Sequence, residues 1–191
     1  MELKVVKIGS GDDAIFLTLT KMEQFAREDS KDSVIKKIAN KLKNQTAVDK
    51  DYEFNLAKSV FDYVYKNVKY VHDEDIAGDT IPDWSASDRT EFLTRPKYLL
   101  SETYRGDCDD MAAACCALYL ALGYRTTIKA IAWKPNLNGG KSEFSHVYSE
   151  VCLETTFGKP VWVPCDPVIP KLGLGFGREK DNVLRTEIRE L

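Results

Sequence analysis

The chain of 191 residues is long enough for one globular domain, and its content of 43% apolar and 30% charged residues is ordinary for a water-soluble protein. The formal net charge of −3 gives no strong attraction to nucleic acid or to acidic membranes, so we expect neither as a partner. The longest apolar run, Met111–Leu122, is shorter than the about 20 residues that a membrane-spanning helix needs.

Five cysteines and two histidines limit the chemistry that the chain can carry. The first residues contain no apolar run typical of a signal peptide, so five cysteines indicate reduced thiols and a cytoplasmic location. No Cys-x-x-Cys pair occurs and histidines are scarce, so we predict no metal site and no other cofactor.

The first third of the chain predicts two strands and then helices. Residues 2–8 and 14–19 are typical of short strands on either side of a Gly-rich turn. A helix capped by Thr20 is expected over Thr20–Glu28. Apolar residues at helical spacing predict two longer helices, over Asp32–Lys43 and Tyr52–Val68.

The middle of the chain predicts a long loop and a buried helix. Residues 71–94 have no regular period, and a loop of this length in a compact domain is usually functional or disordered. Pro96 favours the start of a short helix that runs to about Thr103. Met111–Leu122 is apolar on all sides, which predicts a central helix that Gly123 ends.

The last third predicts a small antiparallel sheet. Its strands are expected where β-branched and aromatic residues concentrate, over Thr126–Trp133, His146–Glu154 and Pro160–Asp166. The fold class is therefore α+β, with a helical N-terminal half and one buried helix packed against this sheet. We expect a single domain with a core over about 50–170, a helical N-terminal extension over 1–49, and a Gly-rich, then charged tail over 171–191.

The stretch YRGDCDDMAAACC, residues 104–116, leaves two interpretations of Cys108 open. In one, a well-capped core helix buries Cys108, since free cysteine is among the most buried residue types. In the other, Asp107 is the N-cap and Cys108 is the first helical residue. Free N–H groups and the helix dipole there lower the pKa of a thiol and can bind an oxyanion. Acidic neighbours such as Asp109 raise that pKa, so a reactive thiol needs a cationic partner such as histidine.

Of the two histidines, His146 is the better partner for a thiol. His72 lies in the polar loop and is interpreted as solvated, whereas His146 begins a strand. If the last two strands form a hairpin centred near residue 156, His146 lies opposite Asp166, and Tyr148 falls on the same face. Asp166 could instead only begin a turn before Pro167. Together with Cys108, the pair would supply a nucleophile, a base and an orienting acid.

Three short motifs resemble the transglutaminase-like group of papain-type cysteine proteins: GDCDD at 106–110, HVY at 146–148 and WVPCDP at 162–167. A weaker similarity upstream, FDYVYKNVKYVHDED and the Pro-led segment before GDCDD, is to small transglutaminase-like proteins of phages and prophages. The resemblance covers roughly residues 15–170. It implies a papain-like α+β fold and a catalytic thiol site at Cys108, His146 and Asp166. From the order of these three residues and the hairpin geometry we predict an amide-bond hydrolase or acyl transferase that forms an acyl-enzyme, with a protein or peptide as its substrate.

The sequence differs from that group upstream of the motif. A glutamine often precedes the proline there and can donate to the oxyanion, but residues 92–96 read FLTRP. The loss of one such donor costs about 2.7–4 kcal/mol of barrier. Thr94, Trp84 and the backbone N–H of Cys108 are candidates to replace this donor. Further candidates to contact the oxyanion or to lie next to the substrate are Asp107, Asp109 and Tyr148.

Two alternatives to an enzyme therefore stay open. The first is a catalytically weak or inactive binding module, a phage virion or assembly component that would bind phage structural proteins. The second is an ordinary cytoplasmic α+β domain whose cysteines all belong to the core.

Overall fold

The N-terminal half of the chain is helical. The computed structural model describes residues 5–6, 12–80, 91–133, 141–154, 158–171, 173–176 and 183–191. Its first helices are α1 (Asp12–Asp29), α2 (Ser33–Gln45) and α3 (Tyr52–Asn67). The predictions for the second and third helices are confirmed, and Asp32 caps α2 by accepting a hydrogen bond of 2.9 Å from the Val34 N–H.

The strand expected over residues 14–19 is wrong, since these residues lie in α1. The N-cap expected at Thr20 is wrong for the same reason, because α1 begins eight residues earlier, at Asp12. Alternation in IFLTLT suggested a strand, but Leu19, Met22 and Ala26 recur at helical spacing and are fully buried. Burial of this helical stripe outweighs the local strand preference of β-branched residues.

Short elements fill the segment between α3 and the central helix. They are β2 (Lys69–Tyr70), α4 (Asp73–Thr80), β3 (Glu91–Phe92), α5 (Pro96–Tyr98), a π-helical turn (Leu99–Thr103) and β4 (Arg105–Gly106). β2 pairs in parallel with β4, and β3 pairs antiparallel with β1 (Val5–Val6). The loop predicted for residues 71–94 is therefore helical in part. Pro96 opens its helix as predicted.

The buried central helix is α6 (Cys108–Leu122). Asp107 is its N-cap and Gly123, with a φ of 89°, is its C-cap, so both predicted ends are confirmed. α1, α2 and α3 all pack on α6, and the sheet packs on it as well. The helices of the predicted N-terminal extension are thus direct neighbours of the central helix. Among the described residues, no helix combines the length and the apolar character that crossing a bilayer requires.

Four antiparallel strands form the main sheet, in the order β7-β6-β5-β8. They are β5 (Thr126–Ala132), β6 (His146–Glu154), β7 (Pro160–Cys165) and β8 (Arg185–Glu190). The first three are predicted strands and are confirmed. The fourth was expected to be part of a charged tail, but it pairs along the edge of β5, from Thr127 opposite Glu190 to Ala132 opposite Arg185. It supplies hydrogen-bond partners for backbone groups that an open edge would expose.

The two faces of this sheet have different surroundings. Side chains alternate along a strand. One face therefore carries apolar residues that join the core around α6, including Ile128, Val147 and Val151. The other face carries Thr127, Lys129, His146, Tyr148 and Glu150, all of which are buried. The polar face contains His146 and Tyr148, two of the site residues that the sequence predicts.

Candidate active site

Cys108 is the first residue of α6 and is only half buried. Cys115 and Cys116, both about two turns later, are fully buried in the core. The carboxylate of Asp107 accepts a hydrogen bond of 3.2 Å from the Asp109 N–H, as an N-cap does. The structure therefore places this thiol at the helix N-terminus, where backbone N–H groups and the helix dipole favour a thiolate.

The topology brings the beginning of β6 to the same end of the molecule. α6 has 15 residues and spans about 22 Å, and the 7-residue β5 covers about the same length. Only residues 123–125 join the two, so β5 runs back along α6 towards the Cys108 end. β6 is antiparallel to β5 and its first residue pairs with Ile131, near the end of β5. Cys108 and His146 thus begin their elements at the same end.

His146 and Asp166 form a buried hydrogen-bonded pair. The imidazole Nε2 lies 2.6 Å from Asp166 Oδ2, and the two side chains are only 6% and 3% exposed. Asp166 Oδ1 accepts a second hydrogen bond, of 3.2 Å, from the Val168 N–H. Because Nε2 is engaged with the carboxylate, Nδ1 is the ring nitrogen that remains for a reacting group.

The predicted contact is right, but the predicted register is wrong by two residues. β6 and β7 pair with Ser149 opposite Cys165 and Glu150 opposite Pro164, whereas the sequence interpretation set His146 opposite Asp166. Continuation of the observed register places Asp166 beside Tyr148. His146 therefore reaches Asp166 diagonally, which is possible because an offset of two residues keeps both side chains on one face.

Two aromatic rings flank the imidazole. The Trp133 ring centroid lies 5.5 Å from that of His146, and the Tyr148 ring stacks on the imidazole with a centroid distance of 6.1 Å. Burial, followed by the nearby charges of Glu150 and Asp166, raises the pKa of Tyr148, so its hydroxyl stays protonated. The rings fix the plane of the imidazole and restrict the access of water to its bond with Asp166.

A second buried ion pair continues along this face. Lys129 Nζ lies 3.2 Å from Glu150 Oε1, and the Thr127 hydroxyl donates to Glu150 Oε2 at 3.1 Å. Lys129 Nζ also lies over the Tyr148 ring, 5.8 Å from its centroid. Sequence analysis missed this pair. Its signal in the sequence was one charged residue inside each of two predicted strands, Lys129 and Glu150.

The first turn of α6 is strongly acidic. Asp109 and Asp110 are buried, and Asp110 Oδ1 accepts a hydrogen bond of 2.6 Å from the Thr94 N–H. Burial, and next the charge of Asp107, raises the pKa of Asp110 well above its usual range, while the amide of Thr94 lowers it. Sequence analysis treated the aspartates as capping residues and missed the link from Asp110 to Thr94.

The carboxyl groups of this turn lie close together, as the ligands of a cation would. Among the described residues, oxygen atoms of Asp107, Asp109 and Asp110 lie within 4.8 Å of one another. Acids are common at helix N-termini because they cap the free N–H groups, so this grouping alone does not identify a metal site.

The remaining predicted residues are placed as follows. Thr94 is buried and its N–H is engaged by Asp110, so only its hydroxyl could serve an oxyanion. Trp84 lies outside the described residues. His72 is exposed, as predicted, and its ring meets that of Tyr70 edge-on at 5.1 Å. Tyr70 pairs beside Gly106, and burial together with the negative charge expected at Cys108 raises the pKa of its hydroxyl.

Comparison with known proteins identifies the family to which this fold belongs. The family model described as the transglutaminase-like superfamily matches residues 36–167, more than half of the chain. The chain belongs to the transglutaminase-like superfamily. The family match includes Cys108, His146 and Asp166, and the α+β fold with a central helix against a small antiparallel sheet is that of the superfamily. No curated protein matches the sequence closely enough to count as a relative.

Several solved structures resemble the chain at low identity. A protein of Cytophaga hutchinsonii that bears the provisional name of cysteine protease is 21% identical, with a TM-score of 0.43 over 98% of this chain and 55% of its own. A structure of the Rad4/XPC nucleotide excision repair complex is 14% identical, with a TM-score of 0.51 over 92% of this chain and 46% of its own. A structure of Rad4-Rad23 bound to a 6-4 photoproduct UV lesion is 13% identical, with a TM-score of 0.45 over 92% of this chain and 45% of its own.

The chain thus spans about half the length of these structures, between 45% and 55%. At such low identity, the likeness to the Rad4/XPC structure concerns the fold alone. Membership of the superfamily shows that the chain has a thiol-enzyme fold. Its activity has to be argued from the residues of its own site.

Proposed function

We propose that the chain is a thiol-dependent amide-bond hydrolase or acyl transferase that acts through an acyl-enzyme. The observation that carries this proposal is the buried hydrogen bond of 2.6 Å between His146 and Asp166, at the end of the sheet where α6 begins with Cys108. A buried imidazole that is oriented by a carboxylate, near a thiol at a helix N-terminus, has the components of nucleophilic catalysis.

The proposed reaction has two steps. His146 Nδ1 takes the proton of the Cys108 thiol, and the thiolate Sγ attacks the carbonyl carbon of an amide. The amide C–N bond then breaks, the imidazolium returns its proton to the leaving amine, and a thioester remains on Cys108. In the second step water, which loses a proton to His146, attacks the thioester and releases a carboxylic acid and the free thiol.

Hydrolysis is favoured over transfer to a second amine because water is always present. A competing amine would need its own binding site beside the thioester. We propose a protein or peptide as the substrate. We also propose a reducing compartment such as the cytoplasm, because all five cysteines are free thiols.

The charges of the site explain why a histidine partner is needed. Asp107 and Asp109 lie on either side of Cys108, and negative charge there raises the pKa of a thiol. The dipole of α6 acts in the opposite direction but is worth typically about 0.3–1 kcal/mol per charge. An imidazolium at His146, supported by Asp166, would supply the remaining stabilisation of the thiolate.

The test is the labelling of each cysteine with iodoacetamide as a function of pH, read by peptide mass spectrometry. Cys152, which is also half buried, is an internal reference thiol. His146→Ala removes the proposed base, and His72→Ala is the matched control because it removes the other histidine of the chain.

We expect Cys108 to react faster than Cys152, and to do so well below the usual thiol pKa of about 8.5. That advantage should disappear in His146→Ala and persist in His72→Ala. If Cys108 in the wild-type protein reacts no faster than Cys152 at any pH, the proposal is wrong.

A second candidate function is a binding module that has lost the reaction. The observation in its favour is that the Thr94 N–H donates its hydrogen bond to Asp110 and not to an oxyanion. In addition, no glutamine precedes Pro96 to donate to an oxyanion. A phage particle is the partner that the upstream resemblance suggests. Co-purification with assembled particles, together with an unreactive Cys108, would favour this function over the first.

A further inference from the structure

The carboxyl group of Asp110 joins two parts of the molecule beside the thiol. Asp110 is the third residue of α6 and lies two residues after Cys108. Its side chain is completely buried, and its Oδ1 accepts the short hydrogen bond of 2.6 Å from the Thr94 N–H. A buried carboxyl that accepts a hydrogen bond from a backbone N–H of a distant segment fixes that segment relative to the helix.

Gly106 provides the space that this carboxyl occupies. A Cβ atom at Gly106 would lie 2.4 Å from Asp110 Oδ2 and 2.7 Å from Asp110 Cβ, closer than real Cβ atoms approach other atoms. Gly106 cannot move aside freely, because its carbonyl accepts a hydrogen bond of 3.0 Å from the Val71 N–H. The glycine and the last aspartate of GDCDD are therefore complementary in shape.

Other acids hold the same segment. Asp73, at the start of α4, accepts a hydrogen bond of 2.7 Å from the Phe92 N–H. The amides of Phe92 and Thr94 alternate along the segment, so the two carboxyl groups act on it as a neighbouring strand would. The next residue, Arg95, forms an ion pair with the buried Asp29 of α1. Residues 92–95 are thus tied to α1, α4 and α6.

We propose that Asp110 is a positioning residue, which holds residues 92–94 against the thiol-bearing turn of α6 so that this segment forms one wall of the acyl-binding site. This inference rests on the proposed function and adds to it a residue that does not touch the reacting atoms. It assigns a role to the last residue of GDCDD, and it explains why glycine stands at 106.

The chemical state of Asp110 fits this role. Burial is the main cause that raises its pKa and so favours the neutral acid. A neutral carboxyl still accepts from the Thr94 N–H and adds no negative charge beside the thiol. Asparagine offers the same acceptor oxygen without a charge, whereas alanine offers none.

Two reactions of Cys108 separate positioning from activation. Alkylation by iodoacetamide needs only the thiolate. Acetylation by p-nitrophenyl acetate passes through a tetrahedral oxyanion, which the surrounding wall must accommodate, and it transfers the acetyl group to Sγ as p-nitrophenolate leaves. Both products are measured at Cys108 by mass spectrometry, in wild type, Asp110→Ala, Asp110→Asn and Asp62→Ala, a control on the partly exposed surface of α3.

We expect Asp110→Ala to slow acetylation by about 100-fold, the scale of a misplacement of about 1 Å, while alkylation changes less than about threefold. Asp110→Asn should stay within about threefold of wild type in both reactions, as should Asp62→Ala. Gly106→Ala, which forces the carboxyl away from Thr94, should reproduce the selective loss, and Gly106→Ala/Asp110→Ala should lose no more than either single variant.

Other results would overturn the inference. If both reactions slow by the same factor in Asp110→Ala, Asp110 acts on the thiol or on folding and not on the wall. If Asp110→Ala does not fold, Gly106→Ala decides by the same ratio of rates. If wild-type Cys108 reacts no faster than Cys152 with either reagent, the proposed function fails and the positioning role with it.

Discussion

At the sheet end of the candidate site, the two acids described above face bases: Asp166 contacts His146, and Glu150 contacts Lys129. At the helix end, oxygen atoms of Asp107, Asp109 and Asp110 lie within 4.8 Å of one another, and Asp110 receives a backbone amide. The sheet end can therefore supply positive charge to a thiolate. The helix end supplies the thiol and the backbone segment that lies beside it. The negative charges of its carboxylates disfavour the thiolate.

The largest effect should come from breaking the pair at the sheet end. Asp166→Ala removes the acceptor of His146 Nε2, so the imidazole loses its orientation and the support of its charge. We expect acetylation of Cys108 by p-nitrophenyl acetate to fall roughly 10²–10⁴-fold, the range attributed to a positioned base. Asp166→Asn keeps an acceptor oxygen and should lose less. An equal rate in Asp166→Ala and wild type would show that Asp166 has no orienting role in the reaction.

The next effect concerns the stability of the same end. Lys129→Met leaves Glu150 buried without its base, since both side chains are only 9% exposed. The loss of one partner of a buried pair costs about 3–5 kcal/mol, measured as the free energy of unfolding in denaturant. Lys129→Met/Glu150→Gln removes both charges and should recover part of that loss. A single variant as stable as wild type would show that the pair is hydrated in solution.

The third prediction sharpens the contrast at the helix end through pH. The pKa of Asp110 is raised in the folded protein, so the folded state holds a proton that the unfolded state releases above about pH 4. The contribution of Asp110 to stability is complete below that pH and is lost as pH rises towards its folded pKa. Relative to Asp110→Asn, wild type should lose at most about 1.4 kcal/mol per pH unit over this window.

Denaturant titrations of both proteins from pH 4 upwards measure that difference. A difference that grows in favour of wild type with rising pH would mean that Asp110 is a stabilised carboxylate. The helix end would then carry one more negative charge than the structure indicates.

The smallest effect is expected outside both ends. Lys58 and Asp62 form an ion pair along α3, with side chains 48% and 33% exposed. Lys58→Gln should lower the free energy of unfolding by about 0.3–0.5 kcal/mol and leave the labelling of Cys108 unchanged. A change in the labelling of Cys108 would indicate that distant substitutions also affect the site. The effects of variants at the sheet end and the helix end could then not be assigned to those ends.

The parts of the site that follow from local pattern could be predicted from the sequence. Asp107 and Gly123 are a cap and a stop of standard type, and they delimit α6 as expected. The contact between His146 and Asp166 was predicted although the register was not. Side-chain alternation has a period of two, so an even error in register preserves the face.

The parts that depend on distant segments could not be predicted. IFLTLT lies in a helix because α1 packs on α6, and alternation within these six residues alone indicates a strand. RTEIRE became a strand because β5 offered an edge to pair with. Asp110 looked like one more capping residue, since its partner Thr94 stands 16 residues earlier, after a segment with no regular period.

The distribution of the thiols makes the chain its own reporter of conformational opening. Cys115, Cys116 and Cys165 are completely buried, and burial raises the pKa of Cys116 to about 12, whereas Cys108 and Cys152 are half buried. A folded molecule should therefore gain two labels, and a molecule that has opened should gain five. Counting the two populations by intact mass against time gives the rate at which the core around α6 opens, with no added probe.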